Sequence, residues 1–191
     1  MDVGASTRFP DHGEATVQRK GKQRDRFRPR GFFHVVCKDK RGRLKWVDRV
    51  ENLVVDEGCD EILDKFWKGS GYTAAHYVGL TDGTPSPAAG DTMSSHAGWA
   101  EVTAYDEAAR QAFTPGAVSS KSVDNSGSPA VFTCSTNGTT VGGLFISTNS
   151  TKGGSSGVLI AAVAFSVGDK SLDDGDTLTV TYTSTCADDG V

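Results

Sequence analysis

The chain has 191 residues, of which 37% are hydrophobic and 23 are glycine. This length suits one domain with an extension, and the low apolar content predicts a small core under a loop-rich surface. The sequence contains no run of 18 apolar residues and no apolar stretch near its start, which argues against a membrane-spanning helix and a signal peptide. We therefore expect a soluble protein that is made in a cytoplasm and has no membrane partner.

The charge is divided unevenly along the chain. Residues 1–50 contain 14 Lys and Arg against 6 Asp and Glu, whereas residues 51–191 contain 6 against 18, so the balances are +8 and −12. A basic segment on an acidic body is steered towards acidic surfaces, either of another protein or of a second copy.

Residues 1–30 are predicted to form an extended basic N-terminal arm, because they lack apolar periodicity and cannot bury enough surface to fold alone. The cations that we expect to bind a partner are Arg19, Lys20, Lys22, Arg24, Arg26, Arg28 and Arg30. This arm could bind a partner protein, bind nucleic acid, or remain solvated without a partner. Nucleic acid is disfavoured as a partner because the arm has one aromatic residue among its cations and is followed by no nucleic-acid reading module.

The body is predicted to span residues 31–191 and to begin with a β-hairpin over residues 32–50. Aromatic and β-branched residues form its first strand, a polar turn follows, and the second strand alternates apolar with charged residues. Residues 56–68 are then predicted to form one short α-helix, capped by Asp56, with Cys59, Ile62, Leu63 and Phe66 in a stripe that packs on a sheet.

The remaining sequence predicts short strands separated by turns rich in Gly, Ser, Asn and Asp. A strand is expected at residues 76–80, and four more at residues 130–134, 140–147, 158–167 and 177–183. The Gly-rich segment 153–157 resembles a phosphate loop, but it lacks the lysine and the following helix and is predicted to be a hairpin tip. The fold class is therefore mainly β, an antiparallel sandwich or jelly roll up to about residue 185.

Four polar residues are the best candidates for a metal or acid–base site: His76, Asp91, His96 and Glu101. Their spacing matches no metal-binding or nucleophile motif, so we expect structural hydrogen bonds, with His96 bonding a backbone group of its loop. We predict no enzymatic activity, no metal and no cofactor. The four cysteines are widely spaced without a CxxC pair, and buried thiols are favoured over disulfides or metal ligands.

Several segments carry a resemblance to a known family, in the same order along the chain. They are NLVVDEG (residues 52–58), YVGL (77–80), AGDTMSSHAGWAEVTAY (89–105), Arg110, SVDN (122–125), AVFT (130–133), GGLF (142–145) and GDTL (175–178). Over about residues 32–185 the chain resembles structural proteins of tailed-bacteriophage virions. The block at residues 89–105 is the most specific part of this resemblance.

The resemblance implies a non-enzymatic component of the virion that is made in the bacterial host cytoplasm. Of the possible placements we favour a capsid decoration (cement) protein on the outside of the head. Its expected partners are the major capsid protein or other virion proteins, and further copies of itself in a dimer or trimer. A tail, neck or baseplate component is the first alternative, and a carbohydrate-binding adhesion module is the second.

Three residues in or near the specific block are predicted to anchor the structure. Trp99 and Tyr105 are large side chains beside a Gly-rich turn, and Arg110 can pair with Asp106 or hold a loop. Contact between subunits is the alternative role for this region, together with the segment around residues 72–77.

Overall fold

The structure, a computed structural model, describes residues 28–72 and 75–187. These ranges contain thirteen strands and one α-helix, α1 (Asp56–Ile62), which continues as a π-helical turn at Leu63–Trp67. The strands are β1 (Arg28–Lys38), β2 (Leu44–Glu51), β3 (Leu53–Val54), β4 (His76–Thr81), β5 (Glu101–Val102), β6 (Gln111–Phe113), β7 (Ser122–Asp124), β8 (Ala130–Thr133), β9 (Thr139–Val141), β10 (Gly143–Ser147), β11 (Leu159–Ala164), β12 (Lys170–Leu172) and β13 (Thr177–Ala187).

The strands form two main antiparallel sheets. The first has the order β2-β1-β13-β7, and β8 also pairs with β13. The second has the order β3-β11-β10-β4-β5, and β6 also pairs with β4. Strands β9 and β12 pair separately. The two sheets enclose one core, with Phe33 and Leu178 from the first and Leu80 and Leu144 from the second. The predicted mainly-β antiparallel sandwich with one short helix is confirmed.

Strand β1 shows why the predicted hairpin folds in this way. Its side chains alternate, so that Phe33, Val35 and Cys37 are buried in the core. The intervening side chains lie on the outer face of the sheet, where the Arg49 guanidinium lies 4.2 Å from the centre of the Phe32 ring. This period of two residues buries one face of the strand and leaves cations on the other.

The second sheet is covered on both faces. All five residues of β10 are buried, because Leu144 and Ile146 face the main core while Phe145 faces the opposite side. There Phe145 joins a second apolar cluster that includes Trp99, with the remaining members Val55, Met93, Leu159 and Ala162. The specific block at residues 89–105 therefore supplies part of the outer cover of this sheet.

The helix packs on a sheet as predicted, through its contact with β11, but the prediction that its whole apolar stripe is covered there is wrong. Leu63 and Phe66 are 49% and 76% exposed, although both belong to the predicted stripe. The helix changes to π geometry at Leu63, where the amide of Lys68 donates to the Leu63 carbonyl five residues earlier. A π turn holds one extra residue, so the side chains after Leu63, including Phe66, leave the register of the stripe. The N-cap is Val55 and not Asp56.

The boundary between arm and body also differs from the predicted one at residue 30. Strand β1 begins at Arg28 and pairs with β13 from its first residue, so Arg28 and Arg30 belong to the sheet. The other predicted arm cations, Arg19, Lys20, Lys22, Arg24 and Arg26, lie outside the described residues.

Replacing Gly79 with Ala should destabilise the sandwich. Gly79 pairs with Phe145 across β4 and β10, and an added methyl group would overlap the Phe145 ring. We expect a loss of about 1–3 kcal/mol in the free energy of unfolding, measured by urea titration, because a filled core must shift to admit the methyl. Gly127→Ala is the matched control, since an added methyl there meets no atom within 4 Å. Equal stability of the two variants would contradict this account.

Candidate functional site

The four candidate residues for metal or acid–base chemistry lie in different surroundings. Asp91 accepts a hydrogen bond from the Ala88 amide at 2.9 Å, while Glu101 binds Arg110 and His96 stacks on Trp99. His76 lies near Tyr72, with 6.3 Å between ring centres. In the described ranges, no three His, Cys, Asp or Glu side chains are grouped to hold a metal ion.

Among the described residues, Arg110 is the one buried cation. Arg110 is 2% exposed and pairs with both carboxylate oxygens of Glu101, Nε to Oε1 at 2.9 Å and Nη2 to Oε2 at 2.6 Å. Two parallel charge-assisted bonds fix the planar guanidinium in one orientation. Glu101 begins β5 and Arg110 directly precedes β6, so the pair joins two short strands that bind the same edge of β4, opposite β10.

Arg110 also holds the loop between β10 and β11. Its Nη1 donates to the Ser147 hydroxyl at 3.0 Å and to the Asn149 carbonyl at 2.9 Å, and its Nη2 donates to the Gly154 carbonyl. The predicted pairing of Arg110 with Asp106 is wrong, but the alternative that Arg110 holds a loop agrees with these bonds. Segment 153–157 lies in this β10–β11 connection and supplies the Gly154 carbonyl to the guanidinium.

The ring of His96 stacks on the indole of Trp99, with centres 3.5 Å apart and planes 10° from parallel. Trp99 in turn contacts Phe145 with ring centres 5.3 Å apart. The predicted hydrogen bond from His96 to a backbone group is wrong: within the described structure, its Nδ1 has no hydrogen-bond partner. His96 is half-buried and covers the Trp99 side of the second apolar cluster.

Tyr105 lies inside the body, which argues against its alternative role in a subunit contact. Its ring packs edge-to-face on Phe132, with centres 5.0 Å apart, and burial raises the pKa of its hydroxyl. The Lys152 ammonium lies 4.2 Å from the centre of the Tyr105 ring and donates to the Tyr105 carbonyl at 2.9 Å. This lysine therefore fastens the β10–β11 loop to the specific block.

All four cysteines are free thiols, but only two fit the predicted burial. Cys37 and Cys134 are buried, and desolvation raises the pKa of Cys37 to about 12. Cys186 is exposed and Cys59 is half-buried. The exposed position follows from the location of Cys186 near the end of β13, opposite Pro29.

An apolar groove of about 530 Å³ lies between the helix and the edge of the sandwich. One wall comes from α1 and the π-helical turn, and the other from residues before and within β7. Its apolar lining consists of Ile62, Phe66, Tyr72, Phe113, Pro115, Val118, Val123, Ile146, Ile160 and Tyr182. We call this feature the helix groove.

Burial shifts the pKa values of His76 and Tyr182 in the helix groove. Desolvation lowers the pKa of His76, against a smaller opposing effect of the Glu61 carboxylate. Desolvation also raises the pKa of Tyr182 to about 12. Both residues are therefore neutral at pH 7, and the groove offers apolar and aromatic contact with the Glu61 and Lys65 charges on its helix side.

A second depression, of about 750 Å³, lies beside the turn between β1 and β2, and charged side chains line it. Lys45 bonds Asp176 and lies 3.4 Å from Asp173, while Arg43 bonds Asp39 at 2.6 Å. Hydrogen bonding to Asp176 raises the pKa of Lys45, so this ammonium stays charged. These charges already neutralise one another, and the depression is the weaker candidate for a binding site.

The chain matches no protein-family model, no curated protein and no solved structure. Among the described helices, none combines the length and the apolar character needed to cross a membrane.

The helix groove is the feature that sequence reasoning missed. The apolar stripe of the helix was visible in the sequence, but periodicity alone does not tell whether a stripe meets a sheet or solvent. Trp67, the aromatic residue that directly follows the stripe, is no signal for the groove either, because it is not among the lining residues.

Replacing Glu101 with Gln should strongly destabilise the fold. The Arg110 guanidinium would remain buried without its counter-charge, so we expect a loss of about 3–5 kcal/mol in the free energy of unfolding. Asp106→Asn is the control, because Asp106 is exposed and should change stability by less than about 0.5 kcal/mol. Chemical denaturation measures both free energies of unfolding. A larger loss in the Asp106 variant would indicate that Arg110 pairs with Asp106 and not with Glu101.

Replacing His96 with Ala should remove the stacked lid from Trp99. We expect a loss of about 0.5–1.5 kcal/mol in the free energy of unfolding, the usual contribution of an aromatic pair. His96→Phe keeps a ring over the indole and should keep most of this stability. If the Phe variant loses as much as the Ala variant, a hydrogen bond of the imidazole rather than its stacking is responsible.

Proposed function

We propose that this protein is a bacteriophage capsid decoration protein, which binds the outside of the head and stabilises the shell through multivalent contacts and its N-terminal arm. The family resemblance suggests a virion component. The observation that carries the proposal is the attachment of a basic arm to a strand in the middle of an otherwise acidic sandwich.

Strand β1 is well suited to bear load from such an arm. It pairs with β13 at eleven positions and with β2 on its other side. Antiparallel hydrogen bonds run perpendicular to the strands, so a pull along β1 loads many of them at once. An arm bound to a neighbouring subunit would pass force into the centre of the first sheet.

The body would act as the rigid part of a clamp. The Arg110 guanidinium and the Lys152 ammonium hold the β10–β11 loop against the specific block, so this side of the sandwich is stiffly connected. A shell under pressure from packaged DNA opens at the seams between subunits. A rigid body and an arm that bind different subunits would resist opening, because the first contact raises the effective concentration for the second.

Neutralising part of the arm should weaken attachment to particles. We expect the triple variant Arg19→Gln, Lys20→Gln, Lys22→Gln to bind heads that lack the protein about tenfold more weakly, since three surface contacts of about 0.5 kcal/mol each would be lost. The control variant carries Lys38→Gln, Lys40→Gln and Arg41→Gln, which removes the same charges from exposed positions around the β1–β2 turn. Co-sedimentation at physiological salt measures both, and equal binding would contradict a role for the arm.

Copy number separates the decoration role from its alternative. Quantitative mass spectrometry of purified virions should find copies on the order of the number of capsid subunits, because multivalent stabilisation needs a contact at each seam. A few copies per particle would instead indicate a neck, tail or baseplate component.

A further inference from the structure

The helix groove leaves a large apolar surface uncovered. Phe66 and Val118 are 76% and 77% exposed at opposite walls, and Tyr72 is also exposed. Leu63 and Trp67 are exposed in the same π-helical turn, and the Trp67 ring contacts the Phe66 ring with centres 5.3 Å apart. Contiguous apolar patches of this kind, rimmed by charge, mark surfaces that bind another chain.

The helix that borders the groove is acidic. Helix α1 carries four carboxylates and no cation within its seven residues: Asp56, Glu57, Asp60 and Glu61. Glu61 itself lines the groove, beside the single cation Lys65. A partner that combines apolar side chains with cations would therefore match both the surface and its rim.

The N-terminal segment of this chain has that composition. Residues 19–27 contain five cations against one carboxylate and end in Phe27, and Val17 and Phe9 precede them. The 27 residues before β1 could span up to roughly 90 Å when extended, which is enough to cross to an adjacent molecule.

The direction of β1 favours the groove of a second copy over the chain's own. Gly31 pairs with Ser184, which lines the groove, and β1 then continues outward to Arg28 opposite Ala187. Pro29 fixes extended backbone close to this exit. The N-terminal end of β1 therefore lies beyond the level of Ser184 and points away from the chain's own groove.

We propose that the helix groove binds the basic N-terminal segment, residues 1–27, of a second copy. The apolar side chains of the segment would cover Phe66 and Val118, and its cations would face the carboxylates of α1. Reciprocal exchange of segments closes a symmetric dimer or trimer, since each copy gives one segment and receives one. The inference rests on the proposed function because both assign a binding role to the N-terminal arm, but its test needs no phage particle.

The test uses the full-length chain as an equal mixture of unlabelled and 15N-labelled protein at low salt. A zero-length carbodiimide joins lysine amines to carboxylates in contact, and mass spectrometry identifies the joined peptides. We expect Lys20 or Lys22 to be joined to Glu61 or Asp60 in peptide pairs that contain one labelled and one unlabelled partner. Pairs of uniform label only would place the segment in its own groove and overturn the proposal, as would a lack of these pairs.

Two variants connect the cross-link to the groove. Val118 and Val167 are both 77% exposed, but only Val118 lines the groove. Val118→Arg should lower the yield of mixed pairs about tenfold, because it sets a charge against the apolar and cationic segment, whereas Val167→Arg should leave the yield unchanged. Thermal unfolding checks that both variants fold. Equal yields in the two variants would overturn the groove assignment, while failure of particle binding alone would refute only the decoration role.

Discussion

The pairing of β1 with β13 over eleven residues joins the start of the described chain to its end. It forms the centre of the first sheet, since β2 lies on one side and the short strands β7 and β8 lie on the other. The buried rings of Phe33 and Tyr182 come from these two strands, with centres 4.7 Å apart. Contacts so distant in sequence are costly to form, and the sandwich therefore depends on the completion of this ladder.

The second sheet imposes a different requirement, because it is apolar on both faces. The main core covers one face, and the other needs a cover that short strands do not provide. The block at residues 89–105 meets this need with Trp99, and the salt bridge of Glu101 to Arg110 fixes the end of that cover. A long, unusual stretch of sequence thus has a structural task that is independent of any chemistry.

The fold class could be predicted because its signals are local. In β1 and β2, apolar and polar side chains alternate, and Gly-rich turns separate the later strands. Both patterns involve only residues close in sequence, and both predict antiparallel pairing. The partner of Arg110 could not be predicted, because Glu101 and Asp106 are both within reach in sequence and only the path of β5 and β6 selects between them. The exposure of Phe66 could not be predicted from the sequence either, because it depends on the π-helical turn at Leu63.

The π-helical turn at Leu63 also bears on the proposed binding of the N-terminal segment, because it determines which side chains of the helix are exposed. A regular helix over residues 56–68 would keep the stripe in one register, whereas the π-helical turn separates Val55 and Gly58, which pack on the sheet, from Phe66, which does not. Gly58 allows this close packing, since an added methyl would overlap the Ile160 carbonyl. The N-terminal half of the helix is thereby fixed to the body while its C-terminal half presents apolar side chains outward. An acidic body resists random association through like charge, so a basic segment is the kind of chain that can reach this surface.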